Sequence, residues 1–501
     1  MDRNKNLQIV AERTQPWDIV VIGGGATGAG CALDAASRGL SVLLLEQHDF
    51  GKGTSSRSTK LIHGGVRYLR QGNISLVREA LRERSILLKN APHVVHKQSF
   101  VIPCYSYWQK AFYGLGMKIY DLLASRHNIG ASHIISREET LRHLPSLKQQ
   151  NLRGGVLYYD GQFDDTRLLI DILRTANMRG AVVLNYARVI SLTKDAEGKI
   201  CGLGFEDGET GQKFSVYANC VINATGAFCD PVRRMSDASA ESIVTFAQGI
   251  HLVFDRKFLP SDAALMIPKT SDGRVLFCIP WHDHLLVGTT DTAVNKAEIE
   301  PGALESEIDF IIETAGVYLA SKPTRSDILS VFAGIRPLIK STSNTKTSSI
   351  SRGHDLFVDA SGLITITGGK WTTYRRMAED AVDRAVEVSG LELRRSITDD
   401  LPIAGDDADA TDDGEQLHPD LPYTREDIVK AIREEMARTV EDVLARRTRA
   451  LFLNARAAIE ISPQVAGIMA EELGRDQNWI DNEIATFKNL ASSYSRPSRN
   501  S

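Results

Sequence analysis

Gly23, Gly25 and Gly28 stand in G-x-G-x-x-G spacing between an apolar β-branched run, Asp18 to Ile22, and an alanine-rich stretch, and Glu46 ends the next apolar run. This order fits a phosphate-binding turn: Gly23 allows the sharp reversal, Gly25 lets backbone approach a pyrophosphate, and Gly28 lets the following helix pack closely on the strand. The helix N-terminus adds N–H donors and partial positive charge. Glu46 is placed to accept ribose hydroxyls, and its charge would repel a 2′-phosphate, so no NADP site is expected. A second chemical signal is Lys370, which follows Gly368-Gly369 at an expected helix start. A cation is out of place where the helix dipole is already positive, so the charge is read as functional, offsetting negative charge that develops on a bound group.

These groups require a strand–turn–helix–strand unit, and the run from Asp18 to Glu46 supplies it as one βαβ crossover. From Gly53 to Arg70 runs a polar, glycine-dotted loop, before Ser75 to Asn90 resumes helical periodicity. Helix Thr166 to Arg179 and strand Val182 to Asn185 extend the αβ layer. Strands at His251 to Phe254, Val275 to Ile279 and Leu285 to Val287 suggest an antiparallel substrate-domain sheet. The predicted fold class is α/β: a Rossmann-like nucleotide domain, an α+β substrate domain with an antiparallel sheet and a C-terminal all-α cap. Predicted boundaries are 17–95, 150–240 and 355–390 for the nucleotide domain, 96–149 and 241–354 for the substrate domain, 391–424 for an acidic linker, and 425–501 for the cap.

Composition narrows the classes. Of 501 residues 43% are hydrophobic and 24% charged, as in ordinary globular enzymes, and a net charge of −4 argues against nucleic acid as a partner. The six cysteines show no CxxC or CxxH spacing, so neither a disulfide framework nor a metal site is expected. No run of eighteen apolar residues is present, so no spanning helix is expected, and the N-terminal segment lacks an apolar signal region. The mixed aromatic and lysine segment Tyr105 to Tyr120 suits either a membrane interface or a core-facing helix.

The glycine turn alone does not separate FAD from NAD. Two later features favour FAD: an apolar strand ending in Ala224-Thr225-Gly226, which resembles the second flavoprotein fingerprint of the glutathione-reductase-type fold, and the Gly368-Gly369 pair at a strand-to-helix junction, where a helix N-terminus suits negative charge on a reduced flavin. The segment Thr54-Ser55-Ser56-Arg57-Ser58-Thr59-Lys60-Leu61-Ile62-His63-Gly64-Gly65-Val66-Arg67-Tyr68-Leu69 then resembles the signature of FAD-dependent glycerol-3-phosphate dehydrogenases. Ile279-Pro280-Trp281, Gly288-Thr289-Thr290-Asp291, Ala333 to Leu338 and Gly368 to Arg375 follow in that family's order, over roughly residues 17 to 390.

The resemblance implies FAD as cofactor and glycerol 3-phosphate as substrate, oxidised by hydride transfer to flavin N5. Cofactor contacts are implied for Gly23, Gly25, Gly28, Glu46, Thr54, Ser55, Ser58, Lys60, His63, Gly64, Gly226, Gly369, Lys370 and Thr372. Arg67, Tyr68, Thr289, Arg336 and Arg352 are implied substrate contacts, the arginines suiting a phosphate dianion through bidentate bonds. His251, Arg336 and Lys370 are the implied catalytic residues, His251 as proton acceptor with His63 as competing base. Membrane quinone as electron acceptor, a peripheral position on the cytoplasmic face of the inner membrane and a homodimer are further expectations. The rival readings are an oxidase that uses oxygen, an amine or 2-hydroxy-acid oxidoreductase of the same superfamily, and a non-catalytic flavin-bearing protein.

Overall fold

The computed structural model describes residues 1–66, 69, 72–340, 353–405 and 414–495. Arg67, Tyr68 and Arg352 lie outside them. The first sheet grows from the expected crossover. Strand β1 (Trp17–Ile22), helix α1 (Ala26–Ser37) and strand β2 (Val42–Leu45) follow one another, with every residue of β2 buried. Helices on both faces explain why these strands read as continuous apolar runs.

Strand β3 (Val95–Cys104), helix α2 (Tyr107–Ala124), strand β4 (Gly154–Phe163) and helix α3 (Asp165–Met178) come next. Strand β5 (Lys213–Asn223) then pairs parallel with β1, as does β2 on its other side. Beyond β2 lies Val182–Leu184, and beyond β5 lies the returning strand Ile364–Gly368, both parallel to their neighbours. The carboxyl ends of β1, β5 and the returning strand therefore open on one side, where ligands bind in such sheets.

Among the described residues the second sheet has ten strands. Strand β6 (Val244–Asp255) lies between β7 (His284–Gly288) and β8 (Ser330–Ile339), antiparallel to both. The sheet continues through Leu276–Trp281 and Ala264–Ile267 to β3 and β4. β3 and β4 pair over ten residues, Val95 with Phe163 to Cys104 with Gly154. This corrects the expected boundary: residues 154–163 belong to the substrate sheet, not to the nucleotide unit. Leu61–Ile62 also joins this sheet, against β4, so the polar loop bridges the two sheets.

Two further expectations change. His251 sits within β6 rather than at a strand start, because strand pairing begins at Val244. The expected linker contains a hairpin, Gln416–His418 with Leu421–Thr424. The C-terminal part is helical but broken: α4 (Arg425–Glu435), a π-helical turn (Asp442–Arg447), α5 (Ala455–Leu473) and α6 (Gln477–Ser492). Its apolar faces share one core with the second sheet, Phe452, Ile461 and Phe487 packing with Phe100, Tyr158 and Phe332.

Candidate active site

A cavity of about 580 Å³ runs between the sheets, with Gly23, Gly25 and Glu46 on its wall at the first sheet and His251, Thr289 and Arg336 at the second. Gly23 has φ +111°, and a side chain there would press on the Ala224 carbonyl at 2.8 Å. A methyl group on Gly28 would run into the carbonyl oxygen of Gly23. Gly28 therefore lies off the cavity wall and serves close helix packing, the role its place in the spacing gives it. The Gly24 amide donates to Glu46 Oε2 at 2.7 Å and the His48 amide to Oε1 at 2.9 Å, so Glu46 ties the glycine turn to β2 while facing the cavity.

The polar loop is held from three sides. Thr54 Oγ1 donates to the Ile335 carbonyl at 2.5 Å, and Ser55 Oγ accepts the first amide of α1, from Ala26, at 3.0 Å. Ser58 Oγ donates to Asp165 at 2.7 Å. Thr54, Ser55, Ser58, His63, Gly226, Gly369, Lys370 and Thr372 line the cavity. Besides Gly28, two expected contacts do not. Lys60 is fully buried, its Nζ 2.7 Å and 2.8 Å from the two oxygens of Asp165, and this ion pair anchors the loop. Gly64 leaves room for Tyr120 and Leu81, so its need is packing.

Lys370 precedes the short turn Trp371–Thr373 rather than starting the long helix, which begins at Tyr374. The Trp371 indole N–H donates to the Ser55 carbonyl at 2.8 Å, joining the Gly368-Gly369 junction to the polar loop.

At the second sheet, Arg336 on β8 sends Nη1 to the Thr290 carbonyl at 3.0 Å and to Asp291 at 3.2 Å, and Nη2 to Thr289 Oγ1 at 3.1 Å. Its guanidinium lies across Gly249 on β6, where any side chain would collide with it. His251 is two residues along β6 and 2% exposed. Its ring stacks on Phe332, centroids 5.0 Å apart, and Nε2 lies 2.9 Å from Thr59 Oγ1. Burial, then the charges of Arg336 and Lys60, hold its imidazole well below the ordinary histidine range. It is therefore neutral at neutral pH.

Sequence reasoning missed Thr59, Asp165 and Arg57. Thr59 and Arg57 stand inside the quoted segment, but only the fold brings Thr59 to His251 and Arg57 Nη2 to Glu300 at 2.7 Å. Asp165 opens α3 and gave no signal beyond a carboxylate at a helix start; the crossing of the polar loop over α3 makes it an anchor.

These residues fit a flavin dinucleotide. The glycine turn leaves the space a pyrophosphate needs, the N-terminus of α1 faces it, and the cavity continues from there to the sheet that brings His251 and Arg336 together.

The comparisons agree with that fit. The FAD dependent oxidoreductase family matches residues 18–375, and the C-terminal domain of alpha-glycerophosphate oxidase matches residues 375–479. The mitochondrial glycerol-3-phosphate dehydrogenase of Homo sapiens is 39% identical over 530 residues, covering 94% of this chain and 72% of that protein. The mitochondrial glycerol-3-phosphate dehydrogenase of Arabidopsis thaliana is 38% identical, covering 97% and 87%. Among solved structures, the glycerol-3-phosphate dehydrogenase from Bacillus halodurans complexed with FAD superposes with a TM-score of 0.79 at 29% identity, covering 100% of this chain and 99% of that one. The chain therefore belongs to the family of FAD-dependent glycerol-3-phosphate dehydrogenases.

Proposed function

We propose that this protein oxidises sn-glycerol 3-phosphate to dihydroxyacetone phosphate and passes the electrons to membrane quinone. The observation that carries the reading is the meeting of Arg336, Thr289 and His251 on one wall of the cavity whose other end is the glycine turn. FAD, when bound, supplies the hydride acceptor. Arg336 has a planar fork held by Thr289, Thr290 and Asp291, which suits a phosphate or a developing alkoxide. His251, kept neutral by burial, takes the hydroxyl proton, and Thr59 at Nε2 holds the ring in place. Arg67, Tyr68 and Arg352 complete the substrate contacts in this reading, and Lys370 offsets negative charge at the Gly368-Gly369 junction.

Anaerobic titration tests it. Glycerol 3-phosphate should bleach the yellow protein stoichiometrically, whereas lactate and glycine should not; bleaching by either of those, or by none, would overturn the substrate assignment. Reoxidation by a quinone analogue much faster than by oxygen supports the quinone, and the reverse would assign an oxidase.

Helix α2 supports a place at the membrane. Trp108, Phe112, Leu115, Ile119 and Leu122 are all exposed, Trp108 by 76%, and their spacing puts them on one face, while Met117 and Tyr120 face the core. No described helix is long and apolar enough to cross a bilayer. Replacing Trp108, Phe112 and Leu115 together by Ser should shift the protein from sedimenting with lipid vesicles to the supernatant; unchanged partition would remove α2 from this role.

A further inference from the structure

The His251 ring borders the cavity but offers it no free nitrogen. Nδ1 has less than 1 Å² of accessible surface and meets no partner among the described residues. Nε2 is engaged by Thr59 Oγ1 at 2.9 Å. The ring is also fixed in this pose. It stacks on Phe332 on one side, and Gly288 lies so close that a methyl group there would come within 2.2 Å of its Cδ2. The hydrogen-bonded path that the described residues provide from the cavity to the imidazole therefore runs through Thr59.

Thr59 itself is half-buried and lines the cavity. Among the described residues its hydroxyl bonds to His251 and to nothing else. A threonine hydroxyl gives one hydrogen and has two lone pairs, so with its hydrogen turned to Nε2 it can still accept from a hydroxyl in the cavity. Donor and acceptor capacity thus meet on one neutral atom, placed between the space for the substrate and the buried base.

The chain on either side of Thr59 is fixed by one carboxylate. The Ser58 hydroxyl and amide both donate to Asp165, at 2.7 Å and 3.1 Å. Lys60 Nζ bonds to both Asp165 oxygens and to the Ser56 carbonyl. Lys60 has φ +60°, a left-handed conformation that a residue with a side chain adopts only where its surroundings impose it. Here the buried ion pair imposes it, and Thr59 is held against His251 although 192 residues separate them in sequence. Such imposed backbone is concentrated at sites where a side chain must be aimed.

We propose that Thr59 is a catalytic residue that relays the hydroxyl proton of the substrate to His251. This role presupposes the oxidation proposed above, with His251 as the final proton acceptor. The O–H bond at C2 of glycerol 3-phosphate breaks and its proton passes to Thr59 Oγ1, while the hydrogen that Thr59 held passes to His251 Nε2. The C2–H bond breaks with its electron pair going to the bound FAD, and the C–O bond becomes the carbonyl of the product. Thr59 ends as it began, the imidazole carries the proton, and no net charge rests on the hydroxyl along the way.

Anaerobic single-turnover reduction of the FAD-loaded enzyme by glycerol 3-phosphate, run across mixtures of H2O and D2O, tests the relay. Two exchangeable protons moving together give a rate that curves with deuterium content, whereas a straight line overturns the relay. Thr59→Val, close in shape but without the hydroxyl, should slow reduction by about 10²-fold or more, and Thr59→Ser should retain most of the rate. Nitrogen resonances of histidine-labelled enzyme give a readout without turnover. Nε2 of His251 should be unprotonated, as acceptor of the Thr59 hydrogen, and should shift in Thr59→Val; a protonated Nε2 overturns the relay. Thr59→Val at full rate with His251→Gln slow overturns the relay alone, and both at full rate overturns the assignment of His251 as well. Should Thr59→Val lose its flavin, the deuterium curve and the nitrogen signal of the unmodified enzyme still decide.

Discussion

His251 is the residue whose chemistry is most exposed to test. Its imidazole is buried and flanked by Arg336 and Lys60, so protonation is resisted from three directions. The acid limb of kcat/KM that belongs to His251 should therefore lie well below the ordinary value of about 6.5. A limb at or above that value, absent in His251→Gln, would contradict the burial argument. The same replacement should slow anaerobic bleaching by about 10²- to 10⁴-fold, the usual worth of a general base. The depressed value also acts on stability. Below about pH 6.5 the unfolded chain binds a proton that the folded chain refuses, so stability declines as pH falls toward the folded value. His251→Gln should flatten that decline in pH-dependent melting. Arg336 makes a different prediction. Lysine keeps the charge but not the fork that meets Thr289, Thr290 and Asp291, so Arg336→Lys should raise KM for the phosphorylated substrate by about tenfold or more. An unchanged KM would place the substrate's phosphate elsewhere.

Among elements, the β1–turn–α1 unit shows how local spacing dictates a site. Gly28→Ala would push a methyl group into the Gly23 carbonyl, parting the helix from the strand at the point where the pyrophosphate would sit. The variant should purify without colour yet keep its far-ultraviolet circular dichroism; full flavin content would show that the turn tolerates the shift. This unit was legible because its glycines, strand and helix are contiguous in sequence, and so were α3 and the long helix from Tyr374, whose periodicity is local. Strand β4 was not legible as part of the second sheet. It is buried along both faces except at Tyr159, so its sequence carries no alternation to show which sheet it joins, and only its pairing with Val95–Cys104 decides. His251 was read at a strand start for a similar reason: Thr245 and Gln248 look like loop residues, yet β6 has β8 beside it from Val244 onward. The candidate site was legible where one segment supplies it, as at Thr54, Ser55 and Ser58, which line the cavity. It was hidden where two segments meet, as at Thr59 with His251 or Lys60 with Asp165.

At the scale of the molecule, the C-terminal helices are fastened to the nucleotide unit through a buried charge. Asp49, fully buried just after the Glu46 segment, accepts Arg446 Nε at 2.5 Å and both Arg447 Nη groups at 2.8 Å. Asn185 adds a bond at 3.1 Å, and Lys52 on the cavity wall reaches Glu441 at 2.9 Å. Burial alone would raise the Asp49 carboxyl, but Arg447 and Arg446 hold it well below the usual carboxylate range. Its contribution is therefore present above the unfolded value of about 3.9 and lost as pH falls through the folded one. Removing one arginine leaves a buried charge half-compensated, a defect worth about 3–5 kcal/mol. Arg447→Met, which keeps most of the side-chain volume, should lower Tm and loosen FAD together, because the segment from Glu46 to Lys52 carries both the cavity wall and the anchor. Flavin release measured by fluorescence should then precede or coincide with unfolding. If Arg447→Met lowers Tm while flavin affinity stays at its original value, the network holds the C-terminal helices without reaching the cofactor site. If Tm does not move, Asp49 is satisfied by Arg446 and Asn185 alone.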